Sequence, residues 1–163
     1  MKKINSFIIL LFFTINLYSC AGYKPIFNTS FQFKIAEYSI EGEKRLGNKI
    51  YLKLLNLTRA NENKDNLVEI HLKIKTLIKK NGTIKDSTGK ILEYKMTLNS
   101  DVKVENYLLE ENILSHNFIM SSSYKVQDQY SETKKLEERT TENLVNKIYE
   151  ELLVMLSEKM EQK

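Results

Sequence analysis

Apolar residues recur along this chain with two periods, and the switches between them mark out its elements. Phe31, Phe33 and Ile35 alternate with polar neighbours and predict a first strand over about Phe31 to Ile40. Glu41-Gly42-Glu43 breaks it. From Glu43 to Arg59 the spacing changes to three and four: Leu46, Ile50, Leu54 and Leu57 form one stripe, widened by Tyr51 and Leu55, and predict an amphipathic helix. The polar run Ala60 to Asn66 is a connection. Three strands follow. Val68, Ile70, Leu72, Ile74 and Ile78 share one phase, then Leu92, Tyr94, Met96, Leu98, Val102 and Val104, then Leu114, Phe118, Met120 and Tyr124. Ser131 is the expected N-cap of a long last helix reaching about Met160, with Leu136, Leu144, Ile148, Leu152 and Leu156 as its stripe.

Strict alternation gives each strand one apolar and one polar face, as in a sheet covered on one side. Two amphipathic helices supply the cover. The predicted fold is therefore α+β in two layers, with two helices packed on one face of a mixed four-stranded sheet, in the order strand-helix-strand-strand-strand-helix. The first strand reaches the others through a helix, so it can pair in parallel by a right-handed crossover. The last three suit an antiparallel meander.

The first twenty residues follow neither period. Met1-Lys2-Lys3 precedes seven consecutive apolar residues, Phe7 to Phe13, and the segment closes on Leu17-Tyr18-Ser19-Cys20 with the only cysteine of the chain. Charge, apolar run and small residue in that order describe an export signal. The run is too short for a transmembrane helix, which needs about 20 apolar residues. A single cysteine forms no internal disulfide. Its position resembles the bacterial lipobox, which implies cleavage before Cys20 and acylation of that residue, and so a membrane tether. Ala21 stands where an Asp would signal inner-membrane retention, so the implied destination is the outer membrane, on its periplasmic side. This divides the chain into a signal peptide (1–19), an acylated tether (20–30) and one domain (31–163).

Removing 19 of 163 residues leaves 144, enough for a single core. Without Lys2 and Lys3 the basic count falls from 25 to 23 against 21 acidic residues, a net charge of +2. That is weak footing for a nucleic-acid partner, and none is expected. His71 and His116 are the only histidines, and neither has a ligand-spaced companion, so no metal or other cofactor is expected. No phosphate loop, nucleophile elbow or metalloprotease motif occurs. The chain is not expected to be an enzyme.

One connection exceeds structural need. Lys80 to Lys90 spans eleven residues, where hairpin loops usually have about two to five. With Lys79 before it, the stretch carries Lys79, Lys80, Lys85 and Lys90 against Asp86. It reads either as a solvated loop or as a contact for an anionic group such as phosphate. Lys125, after the last strand, is placed at the same end by a meander.

The lipobox followed by Gly22-Tyr23-Lys24-Pro25-Ile26-Phe27, the element order, and Ser122-Ser123-Tyr124 leading through Tyr130 into an acidic helix resemble the LPS-assembly outer-membrane lipoprotein family (LptE-like). The resemblance implies a non-enzymatic partner and plug of the LPS-assembly β-barrel, which assists barrel assembly and delivery of lipopolysaccharide (LPS) to the surface. It also implies basic LPS contacts at the loop end of the sheet, for which Lys79, Lys80, Lys85, Lys90 and Lys125 are the candidates here. The alternatives are an auxiliary lipoprotein of an envelope lipid-transport ATPase system and a peptidoglycan-binding lipoprotein.

Overall fold

In a computed structural model of the chain, residues 33–59 and 67–161 are described. The signal segment, Cys20, the tether, Phe31 and the connection 60–66 lie outside them. The elements are β1 (Phe33–Gly42), α1 (Lys44–Arg59), β2 (Val68–Lys85), β3 (Ile91–Asn106), β4 (Asn112–Lys125) and α2 (Tyr130–Glu161). They form the expected fold: a four-stranded sheet in the order β1-β2-β3-β4, with β1 parallel to β2 and the other pairs antiparallel.

The β1–α1 junction is fixed by Gly42 and Thr76. Gly42 has φ +74°, and a Cβ there would lie 2.1 Å from the Thr76 carbonyl oxygen. Only glycine meets both demands. Thr76 then holds the first turn of α1: its carbonyl accepts the Glu43 N–H at 2.9 Å, and its hydroxyl donates to the Glu43 carbonyl at 2.8 Å.

Both helices cover the same face. Leu46, Ile50 and Leu54 of α1 and Leu144, Ile148, Leu152 and Leu156 of α2 are buried against Ile70, Leu72, Ile74, Leu98, Val102, Val104, Leu114 and Phe118. Each buried aliphatic contributes about 1.5–3 kcal/mol relative to exposure, so this layer contact is what holds the fold. Two polar residues interrupt the series: Thr76 and Ser100 face each other in register and are buried. Lys49 of α1 pairs with Glu142 of α2 across the helix layer.

Strand β1 runs on through Glu41 to Gly42, past the expected break after Ile40, and two further boundaries differ from expectation. Helix α2 starts at Tyr130, because the Gln129 carbonyl accepts the Glu132 and Thr133 N–H groups, both at 3.2 Å. The cap is completed by the Thr133 hydroxyl, which accepts the Gln127 N–H at 2.9 Å, so Ser131 lies inside the helix. The eleven-residue loop is also shorter than expected. Strand β2 runs on to Lys85, paired through Asn81↔Lys95, Gly82↔Tyr94 and Ile84↔Glu93, with register shifts around Ile84. The Asn81-Gly82 pair is absorbed by this bulged ladder, and the chain reverses over Asp86–Lys90 instead.

Candidate functional site

The sheet face turned away from the helices is uncovered among the described residues. Strand pairing sets its rows. Ser39, Lys73, Lys103 and Ser115 form one; Glu41, Lys75, Asp101 and Asn117 the next; then Leu77, Asn99 and Ile119; then Lys79, Thr97 and Ser121. The first two rows line a groove of about 400 Å³. Its charges compensate one another. Glu105, beyond the groove along β3, accepts from Lys103 at 2.5 Å and Lys73 at 2.8 Å, and these bonds, Lys103 foremost, hold its carboxyl at about 2, below the usual carboxylate range. Asn117 donates to Asn99 at 2.8 Å and to Asp101. A matched network of this kind presents hydrogen-bonding groups without a net field. It suits a polar surface better than a small anion.

The third row departs from that character. Leu77 is 54% exposed and Ile119 62%, on either side of Asn99. Sequence reading missed both. The available signal was local: Leu77-Ile78 and Phe118-Ile119-Met120 each put an apolar residue into the polar phase of a strand.

The five lysines do not converge. Lys85 and Lys90 flank the β2–β3 turn, and Lys125 pairs with Glu93 two residues along β3 from Ile91, the partner of Lys85. The turn is built by Asp86, whose Oδ1 accepts from the Thr88 N–H and hydroxyl at 2.9 and 2.7 Å and the Lys90 N–H at 3.0 Å. The Thr88 hydroxyl foremost holds the Asp86 carboxyl below its ordinary value. Gly89, at φ +85°, supplies the left-handed turn residue. Lys79 lies on the open face six residues before Lys85, roughly 20 Å down the strand.

Lys80 is on the opposite, helix-covered face. Its ammonium donates to Glu137 Oε2 at 2.7 Å and sits 4.2 Å from the Tyr94 ring centroid and 5.6 Å from that of Tyr124. The Tyr124 hydroxyl donates to the same carboxylate oxygen at 3.1 Å. Burial disfavours the Lys80 charge, but the Glu137 and Tyr124 hydrogen bonds outweigh it and raise its pKa. Burial likewise opposes the Glu137 charge, and Lys80 overcomes it, so that carboxyl is held below its ordinary value. Lys80 is thus a tie between β2 and α2, closing the open end of the core, and is not a free cation of the turn.

No group of three or more His, Cys, Asp or Glu side chains that could hold a metal occurs among the described residues, and no described helix is long and apolar enough to cross a membrane.

No protein-family profile matches the chain, and no curated protein does. Solved structures do. It is similar to the rare lipoprotein B from Shewanella oneidensis, with TM-score 0.53 and 14% identity over 77% of this chain and 98% of that one. A lipoprotein B from Nitrosomonas europaea gives TM-score 0.55 and 12% identity over 86% and 96%. A minor lipoprotein from Acinetobacter baumannii gives 0.53 and 13% over 78% and 95%. The fold is shared with these proteins. At such identities the likeness is one of fold alone, over nearly the whole length of each of those chains.

Proposed function

We propose that this chain is an outer-membrane lipoprotein, anchored through acylated Cys20 on the periplasmic side. In this reading it partners and plugs the LPS-assembly β-barrel, helps that barrel assemble, and helps deliver LPS to the cell surface. The observation that carries this reading is the uncovered sheet face. Its strands β2 to β4, of 14 to 18 residues, would extend roughly 46–60 Å, more than the ~30 Å hydrocarbon core of a bilayer. Apart from the Leu77–Ile119 row its surface is polar and charge-compensated, which matches the polar interior of an outer-membrane barrel. The lipobox-like segment before Cys20 and the fold shared with bacterial lipoproteins support the same reading. The LPS contacts in it are Lys85, Lys90 and Lys125 at the turn end, with Lys79 further along the open face. Lys80 acts structurally.

Depletion of the protein tests the role. We expect LPS to accumulate on its way to the surface and the assembly barrel to be misfolded or depleted. Normal surface LPS with normal barrel levels would favour an auxiliary of a lipid-transport ATPase system.

A further inference from the structure

The turn between β3 and β4, at the end of the sheet opposite the β2–β3 turn, presents two leucines more exposed than any apolar side chain of the strands, with a half-exposed tyrosine beside them. Leu108 is 75% exposed, Leu109 65% and Tyr107 45%. This turn is tightly bonded. The Asn106 side-chain oxygen accepts the N–H groups of Leu108 and Leu109, both at 3.0 Å. The Asn106 carbonyl accepts the Glu110 N–H at 2.9 Å, and the Asn106 N–H donates to the Glu111 carbonyl at 2.8 Å. Glu110 adopts φ 55° to close it. Two leucines are therefore held out into water by an ordered backbone.

Where the chain enters the domain says what they meet. Phe33, the first described residue, pairs with Val68, and the Tyr107 N–H donates to the Glu69 carbonyl at 2.8 Å. Phe33 and Tyr107 thus flank the same stretch of β2, about two strand spacings or roughly 10 Å apart. Phe33 is thirteen positions after Cys20 in sequence, and such a length spans at most about 45 Å. The described domain therefore begins at the same end of the sheet as the leucine turn.

We propose that, in the lipoprotein before it engages a partner, the Tyr107-Leu108-Leu109 turn inserts into the surface of the bilayer that holds Cys20, as a second membrane contact that stands the domain turn-end down. This rests on the reading that Cys20 is acylated. Leucine side chains suit the boundary between headgroups and acyl chains, and a tyrosine suits the interface. Glu110 closes the turn and carries a negative charge, which a zwitterionic surface accepts more readily than an anionic one. The contact is apolar and insensitive to salt. Alone it is weak, but the tether gives it a high effective concentration. It directs Lys85, Lys90 and Lys125 away from the membrane.

The test uses the acylated mature protein on phosphatidylcholine vesicles. Acylation consumes the Cys20 thiol, and the chain has no other cysteine, so Leu108→Cys provides a unique labelling position and Ser87→Cys, in the opposite turn, a control. We expect a polarity-sensitive fluorophore at 108 to brighten severalfold on vesicles and to be quenched by lipids spin-labelled near the headgroup. The label at 87 should do neither. Adding Leu109→Asp should abolish the quenching at 108, and Glu110→Gln should not. A label at 108 that behaves like the label at 87 while the protein sediments with vesicles overturns the membrane contact and leaves the anchor intact. Protein that neither sediments nor incorporates labelled palmitate overturns both. A label that meets water on vesicles but is shielded in native membranes, without lipid quenching, assigns the turn to a protein partner and overturns the proposal.

Discussion

Replacing Lys80 by Ala separates a structural lysine from the solvated ones near it in sequence. The Lys80–Glu137 pair is 2.7 Å long, with side chains 36% and 22% exposed, so water screens part of it. Pairs of this exposure contribute about 0.2–1 kcal/mol. The ammonium 4.2 Å from the Tyr94 centroid adds about 0.5–1 kcal/mol. Loss of Lys80 should therefore cost about 1–2 kcal/mol in urea unfolding of residues 21–163, whereas Lys85→Ala, at an exposed position without such partners among the described residues, should stay within about 0.5 kcal/mol. A double-mutant cycle with Glu137→Ala should return a coupling of about 0.5–1 kcal/mol. The coupling also has a pH signature. The Glu137 carboxyl is held below its ordinary value, so its contribution is full above the unfolded value near about 4.3 and fades as pH falls through the folded one. The Lys80 pKa is raised, so its contribution is full below the unfolded value near about 10.4 and is lost only as pH rises through the folded one. Between about pH 5 and pH 10 the coupling should be flat. A Lys80→Ala variant as stable as Lys85→Ala, or a coupling near zero at pH 7, would refute the tie.

Two further outcomes follow from the same geometry. Met96 is 4% exposed beneath α2 and Lys95 is on the open face, so Met96→Asp should cost roughly 3 kcal/mol or more and Lys95→Asp under about 1 in thermal unfolding; equal damage would mean that the sheet is not buried on one side. Reversing Lys85, Lys90 and Lys125 to Glu while keeping Lys80 should weaken LPS binding by the folded domain most at low salt, since the Debye length is about 8 Å at physiological ionic strength. A titration at two ionic strengths checks this, and unchanged affinity would make the turn a solvated one.

Period carried most of the fold. Alternation located β2, β3 and β4, and the three-and-four stripes placed Leu46, Ile50, Leu54, Leu144, Ile148, Leu152 and Leu156 in the core. What period does not encode is where a strand stops. Asn81-Gly82 looks like a turn, but its ladder to Tyr94 and Lys95 keeps it extended, and the reversal went to Asp86, whose carboxylate caps the turn. The lysine cluster was legible as composition only. Its division depended on strand phase: Lys80 shares the phase of Ile74 and Ile78 and so faces α2, while Lys79 shares that of Lys73 and Lys75. The pairing of Lys80 with Glu137 spans 57 residues and leaves no local trace. Leu77 and Ile119 left only a local signal, an apolar residue in the polar phase of a strand, and the leucine turn left none, because an exposed apolar residue differs from a core residue only once the faces are assigned.

The most direct test of the central claim is purification of the full-length protein from detergent-solubilised outer membranes, followed by identification of what comes with it. Near-stoichiometric recovery of an outer-membrane β-barrel is expected. Recovery of an inner-membrane transporter complex, or of the lipoprotein alone from membranes in which the barrel is intact, would contradict it.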